Sequence, residues 1–173
     1  MEIVNIVATV EMEKFFDLEE LLVKLPGCER SNVWVKARIP PYNKYTAFYR
    51  SGKFLITGAK SENELNQIAI NVVSYINKHG INNKIKNINI NNRVFIDQLD
   101  FAVDLEKLIV ELNDYDASYE PEQFPGMNFK DSYGITYLLF GSGKITITGV
   151  KSLVYFEEYV NEFKGLIFEK SNK

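Results

Sequence analysis

Two peptides in this chain carry residue types suited to phosphate chemistry. "YRSGKFLITGAKS" (Tyr49–Ser61) and "FGSGKITITGVKS" (Phe140–Ser152) each set glycine before a lysine with hydroxyls nearby. A phosphate-binding loop requires Gly-x-x-x-x-Gly-Lys followed by Ser or Thr, whose hydroxyl holds magnesium. Lys53 is followed by Phe54 and Lys144 by Ile145, so neither peptide qualifies. A second candidate, "DYDASYEPE" from Asp114, begins like a calcium loop, but Tyr119 stands where that loop needs glycine and Pro125 where it needs a bidentate glutamate. His79, the one histidine, precedes Gly80 at an expected helix end, where a cap or dipole role suits it better than acid–base work. Cys28 is the one cysteine, which excludes an internal disulfide and a multi-cysteine metal cluster, and it has no nucleophile context. The sequence therefore predicts no enzyme, no cofactor and no metal.

What the two peptides have instead is alternation. Phe54 and Ile56 alternate with Leu55 and Thr57, and Ile145 and Ile147 with Thr146 and Thr148. A period of two marks a strand with one face on a core. "SGK" is then a hairpin turn into that strand, and "GAKS" or "GVKS" ends it.

The repetition extends along the chain. "DLEELLVKL" from Asp17 matches "DLEKLIVEL" from Asp104 at an offset of 87 residues, with Leu18, Leu21, Leu22 and Leu25 answering Leu105, Leu108, Ile109 and Leu112. These form one apolar stripe at helical spacing, N-capped by Asp17 or Asp104. After the SGK turns the offset is 91, so the second copy gains four residues between. Ser61 caps a longer helix with Glu64 three residues on; Leu65, Ile68, Ala69, Val72 and Ile76 run to a stop at Gly80, and Phe156, Tyr159, Val160, Phe163 and Ile167 repeat the stripe. The expected domains are residues 1–86 and 87–173, each reading strand, short helix, several antiparallel strands, long helix.

Helices on one sheet face leave the other open, and there the pattern places Val7, Leu55, Val94, Leu138 and Phe140 among threonines. An apolar patch of this kind marks a binding surface, unless the two halves pack these faces together as a sandwich. Charge is uneven. Of the 20 basic and 23 acidic residues, the chain up to Lys86 carries 12 and 9, and the remainder 8 and 14, which suggests two functional faces. An apolar run long enough to cross a bilayer and an N-terminal signal region are both missing from the sequence, so an intracellular, soluble protein without membrane partners is expected.

"NIVATV" at Asn5, "YEPEQFPG" at Tyr119–Gly126, the SGK strands and the repeat order together resemble the TATA-box-binding protein family, especially its acidic archaeal members, over nearly the whole chain. That resemblance implies an α+β fold in which two pseudo-symmetric repeats form a saddle, with a curved ten-stranded antiparallel sheet and helices on the convex back. It implies transcription initiation by binding and bending A/T-rich promoter DNA in the minor groove. It also implies recruitment of transcription factor B, with the RNA polymerase machinery engaged indirectly, in the cytoplasm at an archaeal nucleoid, or in the nucleus of a eukaryotic source. Self-association through the apolar face when DNA is absent fits the same pattern.

By position, Asn5 and Asn92 match the family's central asparagines that donate to bases, beside Val7 and Val94. Thr9, Leu55, Thr57, Leu138, Thr146 and Thr148 line the same face. Phe124 and Phe140 match the wedge phenylalanines of the second repeat, with Pro125 adjoining. Arg38, Lys53, Lys130 and Lys144 match phosphate contacts, with Lys60 and Lys151 as weaker candidates. Glu120, Glu122 and Gln123 match the loop that meets transcription factor B, within an acidic run that also holds Glu111, Asp114 and Asp116.

The first repeat departs from this pattern. Aligning back from Tyr49 puts Asn32 at the first wedge position, and Tyr49 itself replaces the other phenylalanine. Trp34 is expected in the core rather than as a substitute wedge, and "PPYNKY" from Pro40 is expected to lengthen or stiffen the next turn. One kink is therefore expected to be weakened. The alternative function is a paralogue that binds DNA weakly and acts as an interaction module or competitor in transcription.

Overall fold

Alternating burial along each extended segment and a 3.6-residue stripe along each helical one divide the chain as their periods dictate. The computed structural model describes residues 1–172. The first copy comprises β1 (Glu2–Met12), α1 (Leu18–Lys24), β2 (Glu29–Arg30), β3 (Trp34–Ile39), β4 (Lys44–Tyr49), β5 (Lys53–Ala59) and α2 (Glu62–Lys78). The second comprises β6 (Ile85–Gln98), α3 (Leu105–Glu111), β7 (Asp116–Ser118), β8 (Gly126–Lys130), β9 (Thr136–Phe140), β10 (Lys144–Val150) and α4 (Phe156–Ser171). The fold is α+β, and its strands hydrogen-bond in the order β2-β3-β4-β5-β1-β6-β10-β9-β8-β7, ten in one antiparallel sheet. Contacts group the chain into two units, Val4–Asn92 and Met1–Ile3 with the chain from Arg93 onward.

Within Val4–Asn92, the core side of β1 supplies Ile6, Ala8 and Val10, and β4 and β5 supply Phe48, Phe54 and Ile56; the Leu65, Ile68, Ala69, Val72 and Ile76 stripe of α2 closes over them. The second unit repeats this with Phe95, Tyr137, Leu139, Ile145 and Ile147 beneath Phe156, Val160, Phe163 and Ile167. Burying side chains of this size contributes roughly 1.5–3 kcal/mol each, so the stripes, more than local propensity, hold the helices to the strands.

Ends and turns follow local chemistry. Asp17 accepts from the Glu19 and Glu20 amides, and Asp104 from the Lys107 amide. Ser61 accepts from the Glu64 amide at 3.1 Å, while the Glu64 carboxylate takes the Lys60 amide at 2.8 Å. Gly80, at φ +80°, ends α2 by donating to Asn77, and Ile81 donates back to Ile76, so these last-turn carbonyls are satisfied. In the SGK turns Gly52 donates to the Tyr49 carbonyl and Gly143 to that of Phe140, at φ +77° and +81°. A Cβ at either glycine would run into a backbone carbonyl oxygen, of Lys14 or Phe101. The turn carbonyls accept the Met12 and Leu99 amides, each at 2.8 Å, which fixes where the chain leaves β1 and β6 for the short helices.

Register locates the extra residues of the second copy. Trp34 pairs with Tyr49 as Gly126 pairs with Phe140. The added length therefore lies between α3 and β8, in the segment that carries β7 and "YEPEQFP". The "PPYN" turn is one residue longer than its counterpart: between the matched pairs Arg38–Tyr45 and Lys130–Thr136 the first copy runs Ile39–Lys44 and the second Asp131–Ile135. Asn43 closes this turn in the left-handed region, φ 51°, with its amide on the Ile39 carbonyl.

Candidate nucleic-acid interface

In the second unit the sheet face turned away from the helices is set by alternation on four strands. Register aligns Ile96 with Thr146, Thr146 with Leu138, and Leu138 with Asn128; Thr148 and Thr136 form the next such pair. Val94, Leu138, Phe140, Thr146 and Thr148 are all half-buried, against fully buried neighbours on the core side. Phe124 is 44% exposed, and its ring meets that of Phe140 edge-on at 5.8 Å. Gly126 lies beneath this pair, where a Cβ would come within 2.7 Å of the Phe124 ring. The absent side chain lets the rings close. The Gln123 and Phe124 amides both donate to the Glu120 carbonyl at 2.9 Å, a turn that presents Phe124 and the exposed Pro125.

The first unit builds the same face from Val7 and Thr9 on β1, Leu55 and Thr57 on β5, and Tyr45, Ala47 and Tyr49 on β4, with Thr9 opposite Leu55 and Val7 opposite Thr57. Asn5 turns its side-chain oxygen inward to the Gly58 amide at 2.8 Å and the Thr57 hydroxyl at 3.4 Å. Its amide nitrogen is the end left to donate. Asn92 is half-buried at the corresponding place on β6. Thr9 is held by Asn91, whose side chain takes the Thr9 amide and gives to its hydroxyl, each at 3.1 Å.

The expectation of a core Trp34 is corrected here. Val35, Ala37 and Ile39 take the core side of β3, so Trp34 falls on the open face, half-buried against Tyr49 at 5.9 Å. By register it occupies the position of Gly126, two residues after the exposed Asn32, which answers Phe124. Its indole nitrogen is buried without a hydrogen-bond partner. The period-two pattern of "WVKARI" carried this signal, but the size of tryptophan outweighed it in the sequence reading.

Charges on the two faces differ as well. Lys53 pairs with Glu11 across the strands at 2.9 Å, and Lys36 with Glu29 at 2.8 Å. Hydrogen bonding and charge from Lys53 hold the Glu11 carboxyl below the usual range; Lys36 does the same to Glu29, which in turn raises Lys36. In the second unit the residue opposite Lys144 is Gln98, and Lys130 lies opposite Asp116 without an ion pair between them. Arg38 is exposed and donates to the Asn43 carbonyl; Lys60 and Lys151 are exposed at the ends of β5 and β10. Glu11, Glu29, Lys36, Trp34, Ile96 and Asn128 thus belong to these faces although the sequence reading passed over them in that role. The carboxylates become visible only once strand register is known.

Glu120, Glu122 and Gln123 are exposed on the loop before Phe124, with the Gln123 amide hydrogen-bonded to Glu120. His79 caps α2: its Nδ1 lies 2.9 Å from the Tyr75 carbonyl and its ring packs on Tyr75 at 4.4 Å. Burial pushes the Cys28 thiol up to about 11, away from a reactive thiolate. Among the described residues, no helix is long and apolar enough to cross a membrane.

A family model described as transcription factor TFIID, or TATA-binding protein, matches residues 1–79 and 87–169. The chain is 38% identical over 153 residues to a TATA-box-binding protein of Pyrobaculum calidifontis, covering 86% of this chain and 76% of that one. It is 36% identical over 174 residues to one of Pyrodictium occultum, covering 98% and 84%. Among solved structures it is similar to the TBP of Methanococcus jannaschii, with a TM-score of 0.86, 30% identity and 97% of each chain covered.

Proposed function

The chain belongs to the TATA-binding protein family, a family of non-enzymatic DNA-binding transcription factors, and from that premise we propose that it starts transcription by seating A/T-rich promoter DNA, minor groove inward, on its open sheet faces. The observation that carries this reading is the apolar second-unit face of Val94, Leu138, Thr146 and Thr148, closed at one end by the exposed Phe124 on the half-buried Phe140. A·T pairs offer the minor groove acceptors and no exocyclic amine, whereas a guanine amine would be buried against these apolar atoms without a partner. The outward amide nitrogen of Asn5 suits those acceptors. Phe124 and Phe140 act as the wedge that unstacks a base step, a mechanism known for this family and cheapest at flexible TA steps.

Lys53, Lys130, Lys144 and Arg38 neutralise phosphates along the groove. Glu120, Glu122 and Gln123 present a carboxylate surface for transcription factor B, which brings in RNA polymerase. On this reading residues 1–86 and 87–173 are the two functional repeats, acting in the cytoplasm at the nucleoid, with self-association through the same faces when DNA is absent.

A second reading draws on one set of observations, Asn32, Tyr49 and the carboxylates of Glu11 and Glu29 on the first face. Under it the protein binds DNA weakly and acts as a competitor through its partner surface. End-to-end fluorescence energy transfer on a TATA-containing duplex, titrated at several salt concentrations with and without transcription factor B, separates the two. Increased transfer with the protein alone supports the promoter reading; bending only with the partner means that the first repeat needs help. No change in either case, at low salt, leaves the second reading.

A further inference from the structure

The β8–β9 turn, the segment Asp114–Asp116 and α4 line a half-open cavity of about 630 Å³ wholly within the second unit, which shares with the face assigned to DNA only Lys130. Tyr133 and Tyr159 stack at 3.7 Å on its wall, with ring planes 13° apart. The Tyr133 hydroxyl donates to Glu162 at 3.5 Å, whose charge holds that phenol above its ordinary value. Asp114, Asp116 and Asp131 complete the acidic lining, against a single lysine, Lys130. Among the described residues none of these four carboxylates is ion-paired.

The repeat supplies an internal control. Tyr159, Glu162 and Phe163 stand where α2 has Ile68, Asn71 and Val72, and Phe129 stands where β3 has Ala37. In the first unit Asn71 donates to the Pro40 carbonyl at 2.8 Å and Tyr42 to Gln67 at 3.3 Å, which ties the turn directly to the helix. The second unit exchanges that amide clasp for aromatic walls and carboxylates.

We propose that this cavity binds an arginine side chain from a basic segment of a partner protein. A guanidinium is planar, stacks on aromatic faces and forks onto a carboxylate, so the Tyr133–Tyr159 wall and Glu162 suit it better than a strongly hydrated ammonium. Asp131 is committed to the fold, taking the Tyr133 and Ile135 amides and the Tyr137 hydroxyl; Glu162, Asp114 and Asp116 are the charges that meet the ligand. The chain already seats one of its own cations nearby, Lys170 at 5.8 Å over the Tyr115 ring. Nucleic acid is excluded by sign. The inference does not rest on promoter binding.

The test is NMR titration of the full chain with a blocked Gly-Arg-Gly-Arg-Gly peptide and its lysine and citrulline counterparts, read on the tyrosine ring signals. The arginine peptide is expected to shift Tyr133 and Tyr159, the lysine peptide to bind several-fold more weakly, and the citrulline peptide to do nothing. Glu162→Gln should weaken the arginine peptide by roughly 3–10-fold and Tyr133→Ala by roughly 2–5-fold, as loss of one charged or one cation–π contact implies. Should Tyr133→Ala loosen the turn, the exposed, near-isosteric Glu162→Gln still decides. Equal binding of the citrulline peptide, shifts confined to Glu120–Gln123, or no shift at low salt would overturn the proposal.

Discussion

The two halves of this chain share a scaffold almost element for element and differ on the face that scaffold displays. In the second half Phe124 and Phe140 meet over a glycine, beside aliphatic and threonine side chains, with Lys144 opposite a neutral glutamine. In the first half Trp34 fills the glycine position against Tyr49, Asn32 stands for the phenylalanine, Ala47 for Leu138, and Lys53 is held by Glu11. The cores tolerated duplication because burial asks only for apolar volume at the right period. The open face is under no such packing demand, and there the halves diverge. If the open face seats DNA as proposed, the difference teaches that wedge and electrostatic grip are separable: the second half carries the phenylalanine pair, and the first ties its lysines to carboxylates.

The largest expected effect follows from that division. Phe124→Ala should lower affinity for a TATA duplex by roughly 10–100-fold, since unstacking a step trades a few kcal/mol against wedge contact, and should reduce the bend read by energy transfer. Asn32→Ala should leave both within about twofold. Equal losses from the two variants would mean that the halves deform DNA alike, and the comparison would fail.

The next prediction sharpens the claim that surfaces are separate. Glu120→Arg should cut assembly with transcription factor B by roughly tenfold or more, reversing a charge at the partner loop, while binding of DNA alone is kept or slightly improved. A gel-shift series with and without the factor reads this directly; loss of binary DNA binding would show that the loop and the groove face are one site.

A smaller effect is expected from Glu11→Gln, which gives the first half the glutamine that the second half has at Gln98. With Lys53 released to a phosphate, the slope of log K against log salt should steepen by about 0.9, with affinity a few-fold higher at low salt. Fluorescence anisotropy across a salt series measures it. An unchanged slope would show that Lys53 stays clear of DNA whatever its partner.

Much of the fold is legible in the sequence, for physical reasons. The strand after each SGK turn, the Asp17 and Asp104 caps and both long helical stripes depend on periods and caps that act within a few residues, and these the sequence displays openly. Trp34 was misplaced because bulk suggests burial, whereas the face of a strand residue is fixed by its neighbours' alternation. The longer turn at "PPYN" is legible from local turn residues, and the register of Tyr49 with Trp34 sets its excess at one residue. The Lys53–Glu11 and Lys36–Glu29 pairs were invisible because each joins residues brought opposite one another only by the sheet.

The smallest prediction concerns a polar substitution on the helix side. Val10 and Val73 of the first half are answered by Asp97 and Lys164, which pair at 2.6 Å beneath α4. Burial alone would push the Asp97 carboxyl up, but the Lys164 hydrogen bond, the Gln98 amide and the N-terminal ammonium at 3.5 Å outweigh it and leave it below its ordinary value. A depressed carboxyl contributes stability that is present above its unfolded value and is lost as pH falls through the folded one, so the contribution begins to fall below about pH 4 and is lost at still lower pH. Asp97→Val alone strands Lys164 and should cost about 1 kcal/mol at neutral pH, since Lys164 is exposed enough to recover some water. Asp97→Val with Lys164→Val restores the arrangement of the first half. It should bring stability back to within about 0.5 kcal/mol, because a packed apolar pair commonly replaces an ion pair without loss, and it should flatten the acid limb of the profile. Urea melts from pH 7 down to pH 3 test both statements. If the single variant matches the parent at neutral pH and loses stability in acid just as steeply, the ion pair contributes nothing, and the second half owes its stability to the same apolar packing as the first.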